Sequence, residues 1–157
     1  MESSFISDEY RTYDEQKALL DNPVYTIYTK QIQSKIIGFF AVWEFDDFDY
    51  IDHFAIDLDY RGQGYGSEML DELLSMYKKM VVLEVEPPDT EISQKRIEFY
   101  KKHGFYLNTY PYIQPPISKG KKPVQLFIMS TVNYLSIDNY NRVKNILYND
   151  VYKYILD

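Results

Sequence analysis

The sequence contains no cysteine among its 157 residues. Disulfide bonds, thiolate metal sites and a cysteine nucleophile are therefore excluded together, and a cytoplasmic location is the default expectation. No window approaches the roughly 18 consecutive apolar residues that a membrane-spanning helix needs. Residues 1–5 have neither the basic flank nor the apolar core of a signal peptide. We expect no membrane partner and no metal.

Basic residues are also fewer than acidic ones: the sequence has 17 Lys and Arg against 24 Asp and Glu, which gives a net charge of −7. This balance argues against broad nucleic-acid binding. It is compatible with a small cationic substrate, although an acidic surface is also a common means of staying soluble. The length and the 45% hydrophobic content predict a single domain, residues 1–157, with a core of its own.

The hydrophobic pattern predicts an α+β fold with a mixed, mainly antiparallel central sheet and flanking helices. Strands are predicted at residues 24–30, 35–45, 50–56, 80–85, 105–113 and 124–131. Helices are predicted near 14–20 with Asp14 as N-cap, at 67–79, at 92–103 and at 139–156 with Ser136 as N-cap. The first two strands form a hairpin. The third and fourth should be parallel, because a helix connects them. Residues 115–123 form an exposed basic loop.

A glycine-rich turn, residues 61–66 (RGQGYG), lies between the third strand and the helix at 67–79. Such a turn leaves backbone N–H groups free at the positive end of the helix dipole, which favours an anion and most often a phosphate. A dinucleotide site would need a different glycine spacing directly after its strand, although Glu84 or Glu86 would supply its acidic residue. A nucleotide P-loop would need a lysine after the last glycine, whereas Ser67 and Glu68 follow Gly66.

This turn resembles the acyl-CoA motif of the GNAT family of N-acetyltransferases, [Q/R]-x-x-G-x-[G/A]. Residues 99–105 (FYKKHGF) resemble a second motif of that family, at the end of the next helix. The resemblance covers about residues 24–131 and is closest to a bacterial subgroup with phrases such as HFAID and LEVEPP. It implies acetyl-CoA as co-substrate, an amine acceptor and no metal.

The resemblance implies that the third and fourth strands splay apart and that the pantetheine arm of CoA pairs with the free edge of the third. Site residues implied for CoA are Phe54, Ala55 and Ile56 of that strand, the turn and helix start Arg61, Gly62, Gln63, Gly64, Tyr65, Gly66 and Ser67, and Ser93, which stands where many members have Asn. Arg61 would add charge toward a CoA phosphate or face solvent.

Direct attack of an amine on the thioester requires a base for the ammonium and is helped by an acid for the thiolate. Tyr100 matches the general-acid tyrosine of the family; its other interpretation is a core aromatic. The base stays open among Asp52, His53 and Glu86. Strand alternation puts Asp52 on the face of Phe54 and His53 on that of Ala55. Tyr110, Tyr112 and Gln114 are candidates for lining the acceptor pocket, or are ordinary strand residues.

The sequence departs from the family pattern at two points: residues 1–12 show no pattern for the strand with which the family begins, and Ser93 stands where many members have Asn. The identity of the amine acceptor cannot be read from the sequence. The apolar stripe of the helix at 139–156, a C-terminal extension from about residue 137, packs on its own domain or forms a homodimer surface. The alternative functions are a non-catalytic acyl-CoA-binding sensor on the same fold and a nucleotide-binding protein.

Overall fold

The computed structural model describes residues 4–5 and 7–153 of the chain. The six strands are β1 (Tyr25–Ile32), β2 (Lys35–Glu44), β3 (Phe48–Ile56), β4 (Met80–Val85), β5 (Phe105–Gln114) and β6 (Val124–Thr131). The α-helices are α1 (Tyr13–Ala18), α2 (Tyr65–Met76), α3 (Glu91–Lys102) and α4 (Ile137–Ile146), and α4 continues into a π-helical turn, Leu147–Val151. No helix in the described ranges is long and apolar enough to cross a membrane.

The fold is built on one six-stranded sheet, whose strands are in the order β1-β2-β3-β4-β6-β5. Every neighbouring pair is antiparallel except β3 and β4, which are parallel. The predicted α+β class and mixed sheet are therefore confirmed. The parallel pair is short, because pairing runs only from Phe48 with Met80 to Ile51 with Leu83, while both strands continue beyond it. The predicted splay is present.

Each face of the sheet has its own hydrophobic core. Helices α2 and α3 cover one face, where Leu70, Leu73 and Ile97 pack on Leu83 and Met129. Helix α4 and its π-helical turn cover the other. The apolar stripe of this extension, Tyr140, Val143, Leu147 and Val151, is buried there against the sheet. The extension thus packs on its own domain, while Tyr154, also assigned to the stripe, lies outside the described residues.

A bulge in β3 changes the predicted direction of Asp52. Ala41 pairs with His53 but Val42 pairs with Ile51, so Asp52 is an extra residue in the ladder. Simple alternation, which put Asp52 on the face of Phe54, is therefore wrong. Asp52 contacts Trp43 in the core under α4. Phe54 stacks on Phe40 in the core under α2 and α3.

The N-terminal region differs from the prediction in its capping residue. Thr12, and not Asp14, caps α1: its hydroxyl accepts from the Glu15 amide, and the Glu15 carboxylate accepts from the Thr12 amide. Thr12 fits because its extended backbone lies one step before the first helical residue, whereas Asp14 is already inside the helix. In the described part of residues 4–22 there is no strand, only this helix and two short 3-10 turns, Ser7–Glu9 and Leu19–Asp21.

Candidate active site

A cleft of about 390 Å³ opens where β3 and β4 separate. Its walls include the last β3–β4 pair, Ile51 with Leu83, and the residues beyond it, 52–56 of β3 and 84–86 at the end of β4, where the two strands no longer pair with each other. Past Ile51 the backbone of β3 no longer bonds to β4, so backbone groups on that edge, apart from the Ile56 carbonyl that accepts from Arg61, are available to an extended ligand. The cleft can therefore accept a narrow, extended chain as an additional strand.

The glycine turn presents the N-terminus of α2 beside this cleft. Gly64 is the N-cap, with a left-handed φ of 87°, and no side chain caps the helix. The amides of Tyr65, Gly66 and Ser67 have no partner within the helix, because the first intrahelical bond runs from Glu68 N to Gly64 O. Gly66 lines the cleft, and a Cβ there would lie 3.7 Å from the rings of both Phe54 and Phe99. This end of the cleft can hold a phosphate group.

Three basic side chains, Arg61, Lys95 and Arg96, line the same cleft. Arg61 is exposed, and its side chain is also hydrogen-bonded: its Nε donates to the carbonyl of Ile56 at 2.9 Å and its Nη2 to Ser4 at 2.9 Å. These contacts tie the turn to the end of β3. Positive charge beside a helix N-terminus strengthens the preference for an anion.

Ser93 does not reach the cleft. It closes the cap of α3, where the Thr90 amide donates to its Oγ at 3.1 Å and its own amide donates to Thr90 Oγ1 at 3.1 Å. Both groups are engaged locally, and the side chain is buried. The assignment of Ser93 to CoA binding is therefore not supported by its position. The cleft is lined instead by Lys95 and Arg96, which the sequence motifs did not indicate.

Gly62, Gln63, Tyr65 and Ser67 belong to the turn and to the first turn of α2, but they are not among the residues that line the cleft. Ser67 is held by His103, whose Nε2 lies 3.1 Å from Ser67 Oγ and whose Nδ1 lies 2.7 Å from Asp71. This link joins the start of α2 to the end of α3.

Tyr100 lies on the α3 side of the cleft and is 8% exposed. Its ring packs edge-on against Phe99 and Phe105. Burial raises its pKa to about 12, against a smaller lowering effect of Arg96. The hydroxyl therefore keeps its proton near neutral pH and can donate it to a leaving group in the cleft.

The opposite wall carries acidic groups. Asp52 accepts hydrogen bonds from Arg11 Nη1 at 2.9 Å and from Trp43 Nε1 at 3.0 Å. Burial would raise its pKa, but the charge of Arg11, with His53 and the two hydrogen bonds, lowers the pKa below its ordinary value. His53 is enclosed between the carbonyl of Glu9, 2.7 Å from Nε2, and Asp52 Oδ1, 3.4 Å from Nδ1.

Two glutamates line the cleft: Glu84 of β4, toward the α4 side, and Glu86, the residue that follows the strand. Glu84 accepts from the hydroxyls of Tyr50 and Tyr152. Burial raises its pKa, and the neighbouring charge of Asp52 acts in the same direction. Glu86 is half-buried.

The three residues proposed for the acceptor pocket separate. Gln114 lines the cleft and donates to the Asp8 carbonyl at 3.3 Å. Tyr112 is buried close to Glu84. Tyr110 packs on Tyr140 of α4 instead, because β5 bulges before Tyr112, and its hydroxyl donates to the Leu135 carbonyl.

The sequence profile described as "Acetyltransferase (GNAT) domain" matches residues 22–107. The chain belongs to the GNAT acetyltransferase family. A GNAT-family structure from Bacteroides thetaiotaomicron, named "Putative acetyltransferase from GNAT family", is 33% identical and has a TM-score of 0.88, covering 96% of this chain and 86% of that one. The sheet with its splayed parallel pair is thus the acyl-CoA N-acyltransferase fold of the GNAT family.

A curated relative matches over a shorter stretch. The Bacillus subtilis (strain 168) protein named "Putative acetyltransferase YjbC" is 37% identical over 81 residues, which are 50% of this chain and 41% of that protein. The aligned segment thus spans less than half of that relative's length. A GNAT family acetyltransferase from Elizabethkingia anophelis, solved with acetyl-CoA bound, is 18% identical with a TM-score of 0.55, covering 81% of this chain and 94% of that one, and shares the fold.

Proposed function

We propose that this GNAT-family protein transfers the acetyl group of acetyl-CoA directly to an amine. The observation that carries the proposal is the combination of an unpaired β3 edge with an uncapped α2 N-terminus along one cleft. An extended thiol arm fits the first, and the pyrophosphate at the end of that arm fits the second.

In this proposal the amides of Gln63 to Ser67 hold the pyrophosphate. Arg61, Lys95 and Arg96 add positive charge around the phosphates. The pantetheine arm pairs with the backbone from Phe54 to Ile56, so that the acetyl carbonyl accepts a bond from a main-chain N–H of β3. Such a donor stabilises the negative oxygen of a tetrahedral intermediate.

Tyr100 is the proposed general acid. Tyr100 lines the cleft, and its hydroxyl carries its proton at neutral pH as an ordinary tyrosine does, although burial raises its pKa to about 12 and so makes it a weaker acid. The departing thiolate would take that proton as the carbon–sulfur bond breaks. Tyr100 also packs in the core under α2 and α3, against Phe99 and Phe105, so its packing role stands beside the proposed catalytic one.

The bases proposed from the sequence are unequal in their surroundings. Asp52 is tied to Arg11 and Trp43, and its lowered pKa makes it a weak proton acceptor. His53 is held between Glu9 and Asp52. We therefore assign Asp52 and His53 to the wall of the cleft that orients the amine. Glu86, which also lines the cleft, remains the candidate for the base.

Binding is tested by thermal unfolding with and without acetyl-CoA. A ligand that binds only the folded state at 100 times its dissociation constant adds about 2.7 kcal/mol, so the melting temperature should rise by several degrees. NAD serves as the control for a general nucleotide site. An unchanged melting temperature at millimolar acetyl-CoA, or a larger rise with NAD, would contradict the proposal.

Catalysis is tested by the release of free thiol from acetyl-CoA in the presence of a panel of primary amines. Amine-dependent release is the expected result. Binding of acetyl-CoA without thiol release from any amine would indicate a sensor that holds acetyl-CoA without turning it over.

A further inference from the structure

His103 joins the N-terminal turn of α2 to the end of α3 through both of its ring nitrogens. Nδ1 lies 2.7 Å from Asp71 Oδ1, and Nε2 lies 3.1 Å from Ser67 Oγ. Ser67 and Asp71 are one helical turn apart on α2, so they share the face of the helix that meets the ring. The imidazole is 11% exposed and packs on Phe99, with the ring centroids 4.8 Å apart. Two hydrogen-bond partners and one aromatic neighbour therefore fix the ring in place.

The partners of His103 determine which nitrogen carries the hydrogen of the neutral ring. An ionised carboxylate can only accept, so Nδ1 donates to Asp71. Nε2 of the neutral ring is then an acceptor, and the Ser67 hydroxyl donates to it. In this state the hydroxyl hydrogen of Ser67 is turned to the ring and is not available to a ligand.

A second proton on the ring reverses the direction of the bond between His103 and Ser67. Nε2 becomes a donor, Ser67 Oγ accepts from it, and the hydroxyl hydrogen is released for another acceptor. Histidine is the side chain whose charge ordinarily changes between pH 5 and 8. The charge on His103 thus decides whether the Ser67 hydroxyl donates to the ring or to a ligand.

The charged groups around the ring are few. Asp71 of α2 is 67% exposed and is the acidic side chain that pairs with His103 in the described part of the chain. Glu68, also in the first turns of α2, pairs with Lys30 at 2.7 Å instead. On α3 itself the preceding residues Lys101 and Lys102 are basic and exposed. The ring therefore answers mainly to Asp71, to Ser67 and to any anion at the start of α2.

Ser67 stands where a change in the ring can reach the proposed phosphate site. Its amide is one of the three at the start of α2 without a partner in the helix. Side chains of a helix tilt toward its N-terminus, so Ser67 Oγ leans in the direction in which those amides point. A hydroxyl donor added to the amides strengthens the hold on a phosphate oxygen, and a positive ring behind the hydroxyl acts in the same direction.

We propose that His103 is a positioning residue of the phosphate site and that, when protonated, it turns the Ser67 hydroxyl toward a phosphate of bound CoA. The inference rests on the CoA site proposed above. Because the protonated ring favours the bound state, binding takes up a proton at pH values where the ring of the free protein is neutral. The affinity therefore rises as the pH falls.

Calorimetric titration with dephospho-CoA at pH values from about 5.5 to about 8.5 tests the proposal. Dephospho-CoA lacks the phosphate monoester of CoA, whose second pKa of about 6 would add a pH dependence of its own. The wild type should bind about 3- to 10-fold more tightly at the lowest pH than at the highest. Heats measured in two buffers of different ionisation enthalpy should show proton uptake near neutral pH. His103→Gln, whose amide donates to Ser67 at every pH, should show neither effect.

A second pair of variants separates the Ser67 hydroxyl from the fold of the helix. Ser67→Ala should lose affinity at the lowest pH, where the hydroxyl is turned to the ligand, and little at the highest pH, where it is turned to His103. Ser75→Ala is the matched control, because Ser75 lies on the same helix and its hydroxyl donates to the Glu72 carbonyl at 2.6 Å. It should bind like the wild type throughout. An equal loss at both pH values in Ser67→Ala, or undiminished proton uptake in His103→Gln, overturns the proposal.

A third readout needs no variant of His103 and so covers the case in which His103→Gln does not fold. The chain has two histidines, and Asp71→Asn identifies the imidazole proton resonance of the ring that Asp71 bonds. The midpoint of its titration should move to higher pH when dephospho-CoA binds, and an unmoved midpoint overturns the role of His103.

Failure of this inference and failure of the proposed function give different results. Binding with proton uptake but without acetylation of any amine leaves the role of His103 standing and contradicts the acetyl transfer. Binding and acetylation without proton uptake contradict the role of His103 alone. If neither acetyl-CoA nor dephospho-CoA binds at any pH, both are overturned.

Discussion

Asp52 is a charged residue that the fold holds in the charged state. Its side chain and that of Arg11 are 2% and 5% exposed and lie 2.9 Å apart. Burial is the largest single influence and acts to raise its pKa, but the charges of Arg11 and His53 and the hydrogen bonds from Trp43 and Arg11 together outweigh it, and the pKa is lowered. A carboxyl with a depressed folded pKa stabilises the protein above its unfolded pKa, and that stability is lost as the pH falls through the folded value.

We predict that Asp52→Asn lowers the free energy of unfolding by about 3–5 kcal/mol at pH 7, because it leaves Arg11 buried without a partner. The difference from the wild type should shrink as the pH falls below about 4. Urea unfolding at pH 3, 5 and 7 measures it. Asp14→Asn, at an exposed position of α1, is the control and should change stability by no more than about 0.5 kcal/mol. A deficit that stays equal at all three pH values would contradict the ion-pair account.

Tyr100 is the residue on which the proposed chemistry depends most. We predict that Tyr100→Phe lowers kcat by about 10²- to 10⁴-fold and leaves the acetyl-CoA-induced rise in melting temperature nearly unchanged. Tyr140→Phe is a matched control, because burial also raises the pKa of Tyr140 to about 12 and its hydroxyl donates to the Pro111 carbonyl, away from the cleft. Equal turnover in wild type and Tyr100→Phe would remove Tyr100 from the mechanism.

At the scale of elements, the start of α2 depends on one backbone conformation. Gly64 has φ of 87°, and Gly120, in the loop between β5 and β6, has φ of 82°; a Cβ at either would meet nothing within 4 Å. Alanine at either position should therefore cost a similar amount, about 1–2 kcal/mol, from left-handed strain alone.

We predict that Gly64→Ala also weakens acetyl-CoA binding, because relaxing the strain turns the amides of Tyr65 to Ser67 away from the phosphates. Gly120→Ala should retain wild-type affinity at the same loss of stability. Calorimetric titration of both variants measures the contrast. Equal affinities in the two variants would mean that the α2 N-terminus does not hold the phosphates.

The β1–β2 hairpin carries strain at its tip. Gln33 and Ser34 occupy the two central positions of a two-residue turn, with φ of 49° and 69°. Turns with positive φ at both positions favour Asn followed by Gly. We predict that Ser34→Gly stabilises the protein by about 1 kcal/mol, whereas Ser34→Ala, which keeps the strain, does not. Urea unfolding measures both variants, and a gain in Ser34→Ala that equals that in Ser34→Gly would contradict the explanation.

At the scale of the molecule, local patterns predicted every strand and the longer helices, because each satisfies a clear hydrophobic period. The boundaries of β4 and β6 agree with the prediction to the residue. The contiguous glycine motif located the start of α2 to within two residues: the helix was predicted from residue 67 and begins at Tyr65. The direction of Asp52 was not predictable, because a bulge in β3 resets the alternation and leaves no mark in the sequence.

The charged surroundings of the cleft were the least predictable part. Arg11 and Asp52 are 41 positions apart, and Tyr152 and Glu84 are 68 apart. Contacts between residues so far apart in sequence depend on how whole elements pack, so local sequence patterns do not predict them. The apolar stripe of the C-terminal extension predicted a packed helix. It did not indicate that Tyr152, at the end of the extension, would contact the Glu84 carboxylate of β4.

The central claim is that acetyl-CoA occupies the cleft between β3 and β4, and a crystal structure of the protein with CoA bound tests it most directly. The account predicts the pyrophosphate on the amides of Gln63 to Ser67, the pantetheine arm along Phe54 to Ile56, and the sulfur nearer to Tyr100 than to any other hydroxyl. CoA bound outside this cleft, or with its sulfur remote from Tyr100, would contradict the account.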